Sequence, residues 1–183
     1  AYLINLYLAT GDENYGRFLE DTFDTICDHF PDYGYSPFMN EKFFDDWSHD
    51  LKWGIHQARC VVGHNLKVAW NLTRMHSLTP KESYKTFAHQ IADAIPAAGC
   101  DNQRGGWYDM MERTLKDGEE NYRRVWHDRK AWWQQEQGIL AYYIMAGVYN
   151  DKPEYLNYAR EGSAFYNGWF LDYEEGAIYF NVL

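Results

Sequence analysis

The chain has 183 residues, a formal net charge of −10 at pH 7 and an aromatic content of 19%. This length allows one domain with a hydrophobic core. The acidic balance argues against a surface that binds the phosphates of DNA or RNA, so no nucleic-acid partner is expected.

The cysteines and the apolar segments indicate the cellular location. Cys27, Cys60 and Cys100 are widely spaced and include no CxxC pair, so neither a disulfide framework nor a zinc site is indicated. A reducing, cytoplasmic location is expected. No apolar run approaches the length of a membrane span, and the histidine spacing suggests no metal site, so no metal or other cofactor is expected.

The first two predicted helices form a hairpin over about residues 1–30. Residues 2–9 carry no charge, and Thr10–Asp12 combines a helix stop with a new N-cap. Between Glu13 and Phe30 apolar residues follow one side and acidic residues the other, which predicts a half-exposed helix. The next segment, from Pro31 to about Ala58, is long enough to indicate a functional loop or a small strand pair.

Two further helical hairpins are predicted, at about 62–98 and 130–170. In each, a helix with few charges precedes an amphipathic one. Between them, Gly105–Trp126 predicts a β-hairpin with a turn at Asp117-Gly118. The helix that follows Glu136 lacks charges, so we expect it to be buried on nearly all sides.

The turns inside these hairpins repeat. Thr10–Tyr15, Thr79–Tyr84 and Asn150–Tyr155 each join a nearly uncharged helix to an amphipathic one and place a tyrosine just inside the second. Alternating inner and outer helices with a period of about 70 residues are typical of an (α/α) toroid. Three hairpins make an arc, and a ring of six needs roughly twice this length. We therefore predict an all-α fold in which 1–183 is part of a single (α/α)6 barrel domain, with short β-hairpins in its loops.

The second inner helix begins with a candidate catalytic residue. His64 follows Gly63 at the predicted helix start, where the helix dipole favours a neutral imidazole. Such a ring can accept a proton from a carbon or oxygen acid, which makes His64 a candidate general base, although capping or packing is a common role for a histidine at this position. On the same helical face we expect Lys67 to face a site, and Asn71 and Arg74 to face solvent.

The third inner helix begins with Trp132 and Trp133, and Glu136 follows within its first two turns. An indole face beside a carboxylate is a frequent way to hold a sugar, because CH groups stack on the ring and hydroxyls bond to the acid. Adjacent helix positions diverge by about 100°, so one tryptophan is expected to pack in the core. The preceding segment, His127–Arg129, could contact the substrate through its histidine or arginine, while its aspartate fits a helix N-cap equally well.

Three motifs resemble a known family. Gly63–Lys67, Gly105–Trp107 and Lys130–Glu136, in this order and at these separations, are similar to the N-acylglucosamine 2-epimerase superfamily, which includes cellobiose 2-epimerases and aldose-ketose isomerases on an (α/α)6 barrel. The resemblance covers nearly the whole chain. It implies epimerase or isomerase chemistry at C2 of a ring-opened mono- or disaccharide, through an enediolate, with two histidines as acid and base and no metal. His64 would be one of these histidines, and the other is expected beyond Leu183.

The resemblance also implies a set of substrate contacts, to which the residues of the motifs and of the polar stripe contribute. They are Trp107, Trp132, Trp133, Glu136 and Lys67. The last departs from the family pattern, which has a glutamate three residues after the motif histidine; an ammonium there would repel an imidazolium. Three outcomes stay open: a substrate with an anionic group for Lys67, altered chemistry, or sugar binding without catalysis.

Two other functions also stay open. A glycoside hydrolase or lyase on the same toroid needs two carboxylates across the scissile bond. Candidate pairs come from Asp109 and Glu136, or from the loop residues Asp45, Asp46 and Asp50. A non-catalytic carbohydrate-binding or scaffold module is the third hypothesis, and whether the protein forms a homo-oligomer is not indicated by the sequence.

Overall fold

The structure, a computed structural model, describes residues 1–32, 34–52 and 58–183. Within these residues six α-helices follow one another in three pairs, each joined by a short turn. The pairs are α1 (Tyr2–Thr10) with α2 (Glu13–His29), α3 (Val62–Leu78) with α4 (Glu82–Gly99), and α5 (Trp132–Val148) with α6 (Glu154–Trp169). The inner helices α3 and α5 pack on each other and on their own partners α4 and α6. The predicted all-α architecture of paired helices is confirmed.

The turn between α1 and α2 forms as its sequence predicts. Gly11 ends α1 in the left-handed conformation (φ 66°), and its N–H donates to the carbonyl of Tyr7. A residue with a Cβ pays a steric cost at this φ, which explains the glycine. Asp12 then caps α2 by accepting a hydrogen bond from the N–H of Asn14 at 2.9 Å, so two consecutive residues end one helix and begin the next.

In the second and third helical pairs the repeated tyrosine binds the outer helix to the outer helix of the preceding pair. Tyr84, in the first turn of α4, donates a hydrogen bond from its hydroxyl to Asp24 of α2 at 2.8 Å, and the hydroxyl of Tyr155 in α6 donates one to Asp93 of α4 at 2.7 Å. The lysine three residues before each tyrosine binds the same carboxylate, at 2.7 Å and 2.8 Å. The repeat in the sequence is therefore a repeated contact between neighbouring outer helices.

Short antiparallel strands lie in the loops. They pair as β1 (Arg59–Val61) with β2 (Met110–Glu112), β3 (Lys130–Ala131) with β6 (Asn181–Val182), and β4 (Leu171–Asp172) with β5 (Ala177–Ile178). The predicted hairpin between the second and third helical pairs is present, because Met111 bridges Arg124 and the N–H of Glu112 donates to the carbonyl of Arg123 at 2.8 Å. Strand β1 adds to the other edge of this hairpin, a long-range pairing of three residues that the local sequence did not indicate.

The part of α5 that follows Glu136 carries no charge, and the sequence predicts that it is buried on nearly all sides. In the structure it is less enclosed. Leu140, Tyr143 and Val148 retain 40%, 45% and 40% of their exposure. An uncharged helix indicates an apolar environment, but each unit of a toroid buries its faces only against neighbours on both sides. Within the described residues α5 packs against α3 and α6, so part of its apolar surface is left uncovered.

Two single side chains also differ from prediction. Phe18 is one of the apolar residues predicted to follow the inner side of α2, but it is exposed, whereas Leu19 and Phe23 are buried, because neighbouring positions on a helix diverge. Asn71 was expected to face solvent and is buried, with its amide nitrogen donating to the carbonyl of Lys67 at 2.7 Å. None of the helices in the described part of the chain combines the length and hydrophobicity that crossing a membrane requires.

Candidate functional site

His64 lies in the first turn of α3, where the sequence placed it, directly after strand β1. Its side chain is 43% exposed. Lys67 lies one turn further along the same helix and is exposed. Arg74, the last polar residue on this face of the helix, donates to the side chain of Asn5 on α1 at 2.8 Å, so the far end of the face serves contacts between inner helices.

A close approach of α5 explains the glycine that precedes His64. The N–H of Gly63 donates to the side-chain oxygen of Gln134 at 2.6 Å. A Cβ at position 63 would lie 2.8 Å from both Cγ of Gln134 and Cζ3 of Trp133, closer than real Cβ atoms come to other heavy atoms. Only a residue without a side chain fits here unless its neighbours move, and the starts of α3 and α5 are thereby held together.

His64 and Trp133 meet where these two helices begin. Their ring centroids are 5.5 Å apart at an interplanar angle of 41°, and both line an open cavity of about 270 Å³. Trp126, Arg129 and Phe180 line the same cavity. Its volume is close to the lower end of the range for small-molecule sites, about 300–1,000 Å³, and aromatic rings beside polar groups suit the CH faces and hydroxyls of a sugar.

Asp109 organises one wall of this cavity. Its buried carboxylate accepts hydrogen bonds from the N–H of Ala131 at 2.8 Å and from the side-chain nitrogen of Gln134 at 2.7 Å. Nε of Arg129 donates to the other carboxylate oxygen. Since Ala131 immediately precedes α5 and Gln134 reaches Gly63, Asp109 fixes the first turn of α5, the start of α3 and a cationic side chain relative to one another.

Glu41 is a residue of this site that the sequence did not indicate. It belongs to the loop between α2 and β1, and its Oε2 lies 2.6 Å from Nδ1 of His64. Its Oε1 accepts a hydrogen bond from the N–H of Val61 at 3.3 Å. The length of the loop was the one signal that pointed to function here, because no spacing rule relates residue 41 to residue 64.

The segment that carries Glu41 is anchored from two sides. Asn65 accepts a hydrogen bond from the N–H of Met39 at 2.9 Å and donates to the carbonyl of Val61 at 3.0 Å. The buried guanidinium of Arg113 donates to the carbonyl of Met39 and pairs with Asp32. Glu41 therefore reaches His64 from a backbone that is tied to both α3 and the β2 region.

Besides Lys67, three of the predicted substrate contacts lie outside the His64 cavity. Trp107 is 2% exposed and stacks on Tyr142, with the ring centroids 5.5 Å apart, so its indole is part of the core. Trp132 packs on an aromatic cluster of α6, as expected for one of two adjacent tryptophans. Glu136 accepts the hydroxyl proton of Tyr166 at 2.8 Å, and burial together with this bond raises the pKa of Tyr166 to about 12.

Residues 127–129, which precede α5, have some of the predicted roles and not others. Arg129 reaches the cavity, and its guanidinium lies 4.3 Å from the ring centroid of Trp126. His127 is exposed. The N-cap interpretation of Asp128 is wrong, because α5 begins four residues later and Asp128 forms an ion pair with Arg104 instead.

The acidic residues of the long loop form surface turns. Asp46 accepts hydrogen bonds from the N–H and hydroxyl of Ser48 at 2.9 Å and 2.6 Å, and Asp50 accepts one from the N–H of Lys52 at 3.0 Å. Asp45 is exposed. Across residues 1–32, 34–52 and 58–183, no group of three or more His, Cys, Asp or Glu side chains is arranged to hold a metal ion.

Comparison with known proteins identifies a sequence family. The model of the family described as N-acylglucosamine 2-epimerase (GlcNAc 2-epimerase) matches residues 1–182. No functionally curated protein matches the chain.

Several solved structures of sugar-processing enzymes share this fold. Cellobiose 2-epimerase from Bacillus thermoamylovorans superposes with a TM-score of 0.78 at 17% identity, over 98% of this chain and 42% of that one. A D-mannose isomerase superposes with a TM-score of 0.74 at 20% identity, over 98% of this chain and 44% of that one. A family 76 glycoside hydrolase (mannosidase) from Bacteroides thetaiotaomicron superposes with a TM-score of 0.70 at 15% identity, over 97% of this chain and 45% of that one. The chain spans less than half the length of these (α/α)6-barrel enzymes, which confirms the predicted partial toroid.

Proposed function

The chain belongs to the N-acylglucosamine 2-epimerase family, and from this premise we propose that the protein of which it forms part is a sugar epimerase or isomerase acting at C2 of an aldose or N-acyl amino sugar. The observation that carries the proposal is the position of His64, a proton-transfer group, beside Trp133 at an open cavity. An imidazole is suited to proton transfer near neutral pH, and an indole face binds the apolar face of a pyranose or an extended sugar chain.

In the proposed reaction His64 removes the proton from C2 of the ring-opened sugar. The electron pair of the C–H bond moves into the C1–C2 bond while the carbonyl pair moves to O1, which gives an enediolate from an aldose and an enolate from an N-acyl amino sugar. For an aldose, return of the proton to C1, together with transfer of the O2 hydroxyl proton to O1, yields the ketose and needs only one base at the carbon atoms. Return to the opposite face of C2 yields the epimer and needs a second acid, which the family resemblance assigns to a histidine beyond residue 183.

The remaining groups of the cavity would bind the sugar and stabilise the charge that develops. Arg129, oriented by Asp109 and partly exposed, offers N–H donors to hydroxyls or to the enediolate oxygens. Trp126 and Phe180 extend the aromatic wall. Lys67, Glu136, Trp107 and Trp132 stay predicted contacts that lie outside this cavity, and an anionic group on the substrate would be the partner for exposed Lys67.

Hydrolysis is less well supported by the same geometry. Both oxygens of Asp109 are engaged in holding Ala131, Gln134 and Arg129, so protonating it as a general acid would disrupt the start of α5. Glu136 is bound to Tyr166 and does not line the cavity. The predicted pair of Asp109 and Glu136, which hydrolysis would need across one bond, is therefore not assembled beside His64.

Deuterium exchange tests the proposed function directly. The intact protein is incubated in D₂O with a panel of aldoses, N-acyl amino sugars and disaccharides, and incorporation at C2 is followed by NMR. His64→Asn should reduce exchange by a factor of about 10²–10⁴. His29→Asn at the end of α2 is the matched control and should exchange as the wild type does.

Other outcomes would select another function. Exchange by His64→Asn at the wild-type rate would end the assignment of His64. Release of reducing ends from a glycan panel would indicate a hydrolase. Calorimetric sugar binding without exchange in the wild type would indicate a non-catalytic carbohydrate-binding protein.

A further inference from the structure

The hydrogen bond between Glu41 and His64 fixes where the imidazole carries its proton. An ionised carboxylate only accepts hydrogen bonds, so the 2.6 Å contact of Oε2 with Nδ1 places a hydrogen on Nδ1. In the neutral ring the other nitrogen, Nε2, then holds the lone pair. Among the described residues Nε2 has no hydrogen-bond partner, and the ring lies at the open cavity.

The surroundings of Glu41 suit an anionic acceptor. It is largely buried, with 14% of its side chain exposed, but its Oε1 also accepts the N–H of Val61. Val61 directly precedes α3, so the carboxylate lies at the positive end of that helix, which stabilises an anion. The anchoring of Met39 by Asn65 and Arg113 means that little ordering is required when the substrate binds.

Other charged residues lie near Glu41 and His64, but none of those described takes the place of Glu41 at the imidazole. On the cavity side Asp109 and Arg129 bind each other, and on the same helix Lys67 is exposed one turn away. A small cavity behind Glu41 is lined by the charged residues Lys42, Asp50, Arg59 and Arg113. The carboxylate in contact with the imidazole is therefore that of Glu41.

We propose that Glu41 is the positioning residue that holds His64 as its Nδ1–H tautomer, so that Nε2 is the atom that takes the proton from the sugar carbon. The inference rests on the proposed function. When the C2–H bond breaks, its electron pair enters the enediolate, the proton moves to Nε2, and the resulting imidazolium keeps its Nδ1–H bonded to ionised Glu41. Glu41 neither gains nor loses a proton, and the step reverses when Nε2 returns its proton.

This arrangement also accounts for Lys67 at the position where the family pattern has glutamate. A carboxylate three residues after the histidine could orient the imidazole from within the helix. In this chain a carboxylate reaches the imidazole from a loop 23 positions earlier in sequence. The requirement for an anionic partner is met by a different part of the chain, and position 67 is free to carry a cation.

The tautomer of His64 can be measured without turnover. The intact protein is labelled with ¹⁵N-histidine, and the two ring nitrogens of His64 are assigned with the His64→Asn variant at a pH where the ring is neutral. Protonated and unprotonated ring nitrogens have well-separated ¹⁵N shifts. The wild type should show a protonated Nδ1 and an unprotonated Nε2, whereas Glu41→Gln, whose amide can donate as well as accept, should show a mixture of tautomers.

Kinetics supply the second readout. Glu41→Gln should lower kcat for C2 exchange by roughly 10- to 10⁴-fold, the range between losing the partner of a metal-bound histidine and losing the carboxylate that orients a catalytic histidine, with little change in KM. Glu41→Asp keeps the charge at a greater distance and should recover part of the rate. Asp46→Asn, the same chemical change at an exposed position of the same loop, should match the wild type in rate and tautomer.

The result that overturns the inference is a wild-type His64 protonated on Nε2, or a Glu41→Gln variant with unchanged tautomer and rate. A Glu41→Gln variant that loses both thermal stability and rate while its tautomer stays unchanged would also refute the inference, because Glu41 would then have a purely structural role. Failure of the proposed function is distinguishable, because it would appear as absence of C2 exchange in a wild type whose His64 tautomer is as expected.

Discussion

Replacing Gly63 with alanine tests whether close packing of α3 on α5 builds the site. The new Cβ would lie 2.8 Å from both Trp133 and Gln134, so one or both must move. Overpacking of this kind costs about 1–3 kcal/mol, and loss of the Gly63–Gln134 hydrogen bond adds about 0.5–1.5 kcal/mol. The higher helix propensity of alanine returns about 1 kcal/mol at most. We expect a net destabilisation of about 0.5–3.5 kcal/mol.

The matched control is Gly147→Ala near the end of α5, where a Cβ meets nothing within 4 Å. The same substitution there should be neutral or stabilise by up to about 1 kcal/mol. Urea unfolding of the intact protein measures both variants, and KM for the sugar reports whether Trp133 has moved in Gly63→Ala. If Gly63→Ala is as stable as Gly147→Ala, with unchanged KM, the packing argument is refuted.

Three further changes test the rest of the framework. Asp109→Asn should destabilise the protein by about 1–3 kcal/mol, since Ala131 and Gln134 lose a charged acceptor and partly exposed Arg129 loses its anion; thermal unfolding against Asp45→Asn measures this. Tyr155→Phe should cost about 1–3 kcal/mol, because it removes the bonds of the hydroxyl to Asp93 and to the ring of His89, and a value near zero in urea unfolding would show that the repeat contact is not stabilising. Burial alone would raise the pKa of Asp101, but the ammonium of Lys130 and two backbone N–H groups hold it well below its usual value. Its contribution is therefore present above about pH 4 and lost as the pH falls further, so the stability difference between the wild type and Asp101→Asn should shrink in acid unfolding experiments.

The sequence predicted the parts of the fold that depend on local chemistry. Gly11 and Asp12 end and begin helices through contacts within a few residues, and the tyrosine repeat marks contacts such as Tyr84 with Asp24 that recur with each unit. The exposure of α5 could not be predicted in the same way. Leu140 is apolar whether or not a neighbour covers it, and the neighbour is a property of the assembled toroid.

In the candidate site, too, the residues with local signals could be predicted and those that depend on long-range contacts could not. His64 and Trp133 could be placed because each begins an inner helix, and inner helices of a toroid bring their starts together. Trp107 could not be assigned from its motif, because a tryptophan after two glycines is equally suited to stacking on a ligand or on Tyr142, and the structure has the second contact. Glu41 had no local signal at all, since its contact depends on a loop path that Asn65 and Arg113 determine.

This difference bears on how a departure from a family motif is interpreted. A lysine in place of the usual glutamate suggests lost catalysis only if the carboxylate must come from that position. An imidazole requires an acceptor at Nδ1, at hydrogen-bond distance and held in place, and any segment that reaches the start of α3 can supply it. Glu41 meets those conditions at 2.6 Å, so the requirement belongs to the geometry around His64, and the substitution at Lys67 is compatible with an active protein whose substrate selectivity differs.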